Sequence, residues 1–235
     1  MPIPASALGH PRVHLRRTDS TNERARALAL AGAPHGTLVT AAEQTAGRGR
    51  QGRRWSAPAG SALLMSLLLR EPPPLLPLIA AVGVCEVAGP DARIKWPNDI
   101  VVARGERFAK LAGILVEGRP QEGWAVLGIG LNVAVRVEQL SPELRDTAAS
   151  LGLPSEEIEP LLARLLTALA RRLSEPAART LEAWRERDAL RGREVSWSAG
   201  RGRAAGVDGD GRLIVELADG GSTLLDAGEV HLALD

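Results

Sequence analysis

The sequence predicts an α+β fold: a mixed sheet covered by helices, followed by a small barrel of short strands. Three observations carry this. Apolar runs of strand length, such as S-A-L-L-M-S-L-L-L at 61–69, alternate with polar turn segments. Ile158, Leu161, Leu162, Leu165, Leu166, Leu169 and Leu173 recur at helical spacing. After Gly192 the chain breaks into short β-rich runs separated by Gly and Asp.

Taken in order, residues 12–17 alternate weakly and read as a short edge strand. Ser20 and Glu23 have capping-box spacing, and Gly32 is a helix stop, so a helix is expected over 21–31. Residues 36–42 read as a strand leading into A-G-R-G-R-Q-G-R-R-W at 46–55. The run 61–69 is a central strand, and the Ala-rich segment 75–87 is a buried helix opening near Pro74 or Pro77. Pro97 forbids a regular ladder within I-K-W-P-N-D-I-V-V, which predicts strand, break, strand over 93–102. Two more strands follow at 111–117 and 123–135, with a polar hairpin tip at 103–107. Gly128 and Gly130 inside the second signal a close backbone approach. Helices are expected over 158–173, with Pro160 in the first turn, and over 177–190. The last 45 or so residues read as meandering strands with hairpin turns at 208–211 and 219–221; a unit that small is marginal alone and should pack on the main domain. The expected division is 1–190 and 191–235.

Composition narrows the function. The chain has 235 residues, 45% of them hydrophobic, ample for a core. A net charge of +1 makes the whole protein no electrostatic magnet for nucleic acid or membrane. Cys85 is the single cysteine, so no disulfide framework or cysteine zinc site forms within one chain, which fits a cytoplasmic setting. Neither a signal-peptide pattern nor an 18-residue apolar run is present.

The chemistry concentrates at 41–55. Alternating Gly and Arg is a poor helix or core strand, because Gly costs about 1 kcal/mol relative to Ala in a helix. It does let backbone approach a ligand closely, with guanidinium forks on both sides, which suits a carboxylate or phosphate. A flexible nucleic-acid-binding segment is the competing reading. Of the 29 basic residues only Lys95 and Lys110 are lysine, and the asparagines are only Asn22, Asn98 and Asn132. All five fall inside polar clusters at 19–22, 95–99, 110–113 and 128–132, around the Gly/Arg stretch. A loose basic segment would not need that concentration.

D-S-T-N at 19–22, G-R-G-R-x-G-R-x-W at 47–55, K-W-P-N-D at 95–99, K-L-A-G-I-L-V-E at 110–117 and G-x-G-x-N at 128–132 stand in one order. In this the chain resembles the biotin–protein ligases. The resemblance implies a catalytic domain like that of class II aminoacyl-tRNA synthetases with a C-terminal SH3-like barrel. It also implies the ligase-only form, because D-S-T-N begins too early for an N-terminal helix-turn-helix, and hence no DNA partner. The implied reaction activates biotin with ATP and Mg²⁺ as biotinyl-5′-AMP and transfers it to a lysine of a biotin carboxyl carrier protein. Carried over, Ser20, Thr21, Asn22, Gln44, Gly47, Arg48, Gly49, Arg50, Lys110, Gly113 and Gly128 bind biotin. Arg50, Arg53, Trp55, Lys95, Asn98, Lys110 and Asn132 serve ATP, with Lys110, Arg48, Arg50 and Lys95 acting in catalysis. Mg²⁺ rides mainly on the ATP phosphates, and a homodimer through a sheet edge is implied. A lipoate ligase or octanoyltransferase and a nucleic-acid-binding module stand as alternatives. Residues 145–152 offer no Trp for adenine, so the adenine contacts are not assigned.

Overall fold

A computed structural model of the chain describes residues 8–119, 122–226 and 231–232. A seven-stranded sheet forms its centre. In chain order its strands are β1 (Arg12–Leu15), β2 (Leu38–Ala41), β3 (Ala62–Arg70), β4 (Arg93–Lys95), β5 (Asp99–Arg104), β6 (Arg107–Arg119) and β7 (Trp124–Asn132). They lie in the order β1-β2-β3-β7-β6-β5-β4. Only β1 and β2 run parallel, so the sheet is mixed as expected.

The two faces differ. Leu63, Met65, Leu67 and Leu69 of β3, with Leu127, Ile129 and Leu131 of β7, join one large core. Three helices cover that face: α2 (Leu76–Ala88), α4 (Ile158–Ser174) and α5 (Ala177–Glu186). The leucine stripe of α4 buries Leu161, Leu162, Leu165 and Leu169 there, and Pro160 sits in the first turn. The opposite face carries α1 (Thr21–Leu30), which covers only β2, β3 and β7 through Ala25 and Ala29. The rest of that face is left for polar groups. A short α3 (Pro142–Arg145) follows β7.

A second, antiparallel sheet contains β8 (Glu194–Trp197), β9 (Gly200–Val207), β10 (Leu213–Glu216), β11 (Ser222–Leu225) and β12 (His231–Leu232), in the order β11-β10-β9-β8-β12. Turns at 208–211 and 217–220 join its strands. Val195, Ala204, Val207, Leu213 and Val215 share the large core with the main sheet. Trp96 is 2% exposed and donates its Nε1–H to the Gly211 carbonyl at 3.0 Å, so packing explains that tryptophan.

Two local expectations need correction. The second covering helix stops at Glu186, not at residue 190. Beyond it, Ile94 N–H donates to Arg187 O and Ala189 N–H to Ile94 O, so β4 captures the chain as a strand partner. The capping box does not form either, since Ser20 makes no side-chain cap. Instead the Gln44 side-chain oxygen accepts from Thr21 N–H at 2.7 Å, and Asp19 Oδ1 accepts from Ser20 N–H. Residues 1–7, read for a leader, and 233–234 of the last expected strand lie outside the described residues. Among the described residues no helix is long and apolar enough to cross a membrane.

Candidate active site

The site is built on the open half of the sheet, in cross-strand rows that the register defines. One row is Leu64, Gly130, Gly113 and Asp99, on β3, β7, β6 and β5. The next is Ser66, Gly128 and Leu115, and the one after is Leu68, Val126 and Glu117. Alternation puts these residues opposite the large core.

The glycines in these rows have specific occupants. A Cβ on Gly128 would collide with the Asn22 carboxamide. A Cβ on Gly130 would sit 2.5 Å from the Trp55 ring, and one on Gly113 3.1 Å from it. So α1 lays Asn22 directly on the sheet, and Trp55 lies flat on the neighbouring row. Close approach was the expected meaning of Gly128 and Gly130, and the approaching groups are the chain's own side chains.

Over Gly128 a polar network forms. Ser66 is fully buried within an apolar strand, and its hydroxyl lies 2.8 Å from Thr21 Oγ1 and 2.6 Å from Asn22 Oδ1. Thr21 Oγ1–H donates to Gln44 Oε1 at 2.9 Å. Asn22 Nδ2 donates to Glu117 Oε2 at 2.8 Å.

Lys110 reaches the site through a β-bulge. Ile100 pairs with Ala112 but Val101 pairs with Lys110, so Leu111 is the extra residue. Regular alternation from Gly113 would bury Lys110 in the large core; the bulge sends Leu111 there instead and turns Lys110 to the site face. Its Nζ lies 2.7 Å from Asp99 Oδ1 and 5.6 Å from the Trp55 ring centroid. Asp99 opens β5, just past the Pro97 break that ends β4.

The Gly/Arg stretch folds back on itself. Gly49 N–H donates to Arg53 O at 2.7 Å and Trp55 N–H to Gly47 O at 3.0 Å. Gln51 (φ 55°) and Gly52 (φ 73°) make the reversal. Gly47 permits it, since a Cβ there would lie 2.5 Å from Trp55 O. Arg48 Nη2 meets Glu117 at 2.8 Å and Glu23 at 3.1 Å, and its Nε is buried with no protein acceptor. Arg50 Nη1 donates to Asn98 Oδ1 at 3.4 Å, while Asn98 Nδ2 holds the Ile114 carbonyl. Burial pushes the Arg50 guanidinium below its ordinary range and Arg53 adds to this, while Asp99 opposes it. A cation in that state gains from an incoming anion.

Every site residue expected from sequence lines this one pocket except Gly47 and Asn132. Gly47 lies just outside, beneath the loop. Asn132 is buried and holds the Ala149 carbonyl at 2.8 Å. Lys95 lines the pocket from the end of β4. Sequence reasoning missed Ser66, Leu115 and Glu117. Ser66 carried a signal, as the one polar residue inside its apolar run. The enclosed volume is about 130 Å³, below the roughly 300–1,000 Å³ usual for ligand pockets.

The sequence model of the biotin/lipoate A/B protein ligase family matches residues 14–133. The bifunctional ligase/repressor BirA of Bacillus spizizenii is 38% identical over 66% of the chain; the chain spans about half of that relative, 50% of its length. A biotin–[acetyl-CoA-carboxylase] ligase of Mycobacterium tuberculosis is 34% identical, over 92% of this chain and 87% of that protein. The structure of biotin protein ligase from Aquifex aeolicus in complex with biotin and ATP superposes with a TM-score of 0.78 at 25% identity, covering 96% of this chain and all of that one.

Proposed function

From the premise that this chain belongs to the biotin/lipoate A/B protein ligase family, we propose that it is an ATP-dependent biotin–protein ligase. A biotin carboxylate oxygen attacks the α-phosphorus of ATP, the bond to pyrophosphate breaks, and biotinyl-5′-AMP forms. The amine of a carrier lysine then attacks the acyl carbon, loses a proton, and AMP leaves.

One observation carries the choice of biotin: the buried network of Ser66, Thr21, Asn22 and Gln44 at one end of a pocket with Lys110 and Arg50 along its side. A ureido ring offers two N–H donors and a carbonyl acceptor that can engage such a network. A dithiolane offers neither and gains no hydrogen bond from these groups, which favours the ureido ring. Ser20 and the backbone at Gly49, Gly113 and Gly128 complete the walls around biotin, with Gly47 and Arg48 shaping the loop. Lys110 and Arg50 bring positive charge to a carboxylate and a triphosphate that otherwise repel each other. Arg53, Trp55, Lys95, Asn98 and, from behind through the 147–149 segment, Asn132 serve the ATP side. The Gly/Arg loop closes over the adenylate and keeps water from it.

Mg²⁺ supplies charge neutralisation when it arrives on the ATP phosphates. Among the described residues no three His, Cys, Asp or Glu side chains cluster together. The large sheet corresponds to a class II synthetase-like domain over 1–190 and the second sheet to an SH3-like unit over 191–235. The partner is a biotin carboxyl carrier domain. A cytoplasmic location, a homodimer and the absence of a DNA partner complete the reading.

Incubation with ATP, Mg²⁺, labelled biotin and a carrier domain should label one carrier lysine; no labelling by folded protein sinks the reading. In a thermal shift, biotin at 100 times its dissociation constant should add about 2.7 kcal/mol. Stabilisation by lipoate instead would favour the lipoate-ligase alternative.

A further inference from the structure

We infer that Glu117 is a positioning residue that couples the polar end of the pocket to the Gly/Arg loop; this rests on the ligase reading above. Glu117 is an unexpected side chain where it stands. Its row partners on β3 and β7, Leu68 and Val126, are buried and apolar. Its side chain is only 25% exposed, so it serves little as a solvated surface charge. A carboxylate beside a pocket for a carboxylate and a phosphate also repels the ligands. Something must offset that.

The offset is geometric. One oxygen, Oε2, accepts from both Asn22 Nδ2 and Arg48 Nη2, each at 2.8 Å. Arg48 also meets Glu23, the residue after Asn22 on α1, at 3.1 Å. Asn22, Glu23, Glu117 and Arg48 thus close a ring that ties α1, β6 and the loop together. Because a carboxylate only accepts, it can take only the amide nitrogen of Asn22. The amide oxygen is thereby turned to Ser66, 2.6 Å away, over Gly128. Glu117 in this way sets which atoms Asn22 shows to biotin. The same contact commits Arg48: two carboxylates meet its charge, which makes it a strut, and leaves anion binding to Arg50 and Lys110. A ligand that settles against Asn22 therefore acts on the anchor of the loop through a shared acceptor.

The test compares wild type, Glu117→Ala and Glu117→Gln for the KM of biotin and for release of preformed biotinyl-5′-AMP from the enzyme. Glu117→Ala should raise KM and speed release, each by roughly tenfold or more, as expected for losing hydrogen bonds to charged groups. Glu117→Gln keeps an oxygen for Asn22 and loses the ion pair. It should hold KM within about threefold while still speeding release. Adding Arg48→Ala to Glu117→Ala should accelerate release by less than Arg48→Ala does in the wild-type background, since the two share the Oε2 contact while Arg48 keeps Glu23 as a second anchor. A merely structural role would lower Tm and leave KM and release unchanged in the folded fraction, which overturns the inference. So would additive effects of the two alanine substitutions. Wild type that forms no adenylate would instead refute the ligase reading itself.

Discussion

Lys110 stands in the site only because Leu111 is bulged out of register. Its charge is held at 2.7 Å by Asp99 until an anion competes for it. Lys110→Ala should slow adenylation by roughly 100–1,000-fold, the usual effect of removing one preorganised charge donor. The pair is partly exposed, so Tm should fall by only a few degrees while activity falls far more; single-turnover formation of the adenylate measures the first effect and calorimetry the second. Gly128→Ala tests the opposite kind of residue. Its Cβ collides with the Asn22 carboxamide and must displace it, at a cost of about 1–3 kcal/mol for overpacking. Biotin affinity by calorimetry should fall at least about tenfold, an amount equal to about 1.4 kcal/mol, with the secondary structure retained. Lysine and asparagine were legible in the sequence because both are rare in it and gather in polar clusters. Glu117 was not, and Ser66 showed only as a polar residue in an apolar run, because the meaning of both comes from neighbours across three strands. No spacing along the chain reveals that Ser66, Gly128 and Leu115 share a row.

The elements with strong period or hard breakers were the most legible. The leucine stripe located α4, the apolar run located β3, and Pro97 separated β4 from β5. Local signals failed where a distant partner offered a better hydrogen bond. Gln44 caps α1 in place of Ser20, and β4 ends α5 early. The Gly/Arg stretch was readable as ligand-facing, but its reversal depends on a positive φ at Gln51, which Gln does not announce. The helix layer makes its own prediction. Leu165 of α4 is fully buried in the large core and is not part of the pocket lining. Leu165→Ala should cost about 2–5 kcal/mol. The urea midpoint should fall with an unchanged slope, while KM for biotin stays at the wild-type value. A shifted KM would mean that the helix layer and the site are coupled.

At the scale of the whole molecule, the two sheets share one core. The strands β8–β10 place Val195, Ala204, Val207, Leu213 and Val215 in the same cluster as the main sheet. Trp96, at the break before β5, donates across the boundary to Gly211. Unfolding should therefore be a single transition by fluorescence and circular dichroism. Trp96→Phe should lower stability by about 1–3 kcal/mol, leaving the Gly211 carbonyl without its buried donor. Two separate transitions in wild type would show that residues 191–235 fold independently.

The same boundary holds a pH-dependent group. Asp188 bridges in parallel to Ile94 of β4, its Oδ1 accepts from Leu190 N–H at 2.8 Å, and its Oδ2 is buried without a partner. Burial raises its pKa, against hydrogen bonds from Leu190 and Arg191 and the charge of Arg191, which lower it. A carboxyl whose folded pKa exceeds its unfolded value holds its proton more tightly when folded. Stability is then lost as pH rises from the unfolded value, about 3.9, through the folded one. Asp188→Asn keeps an oxygen for Leu190 and removes the titration. The Tm of wild type minus that of Asp188→Asn should therefore fall as pH rises above about 4 and level off once the folded carboxyl has ionised. The difference between the two curves matters, because the Asn amide brings its own constant offset. A flat difference from pH 3 to pH 7, roughly spanning both pKa values, would show that the Asp188 carboxyl ionises as freely in the folded chain as in the unfolded one and overturn this reading.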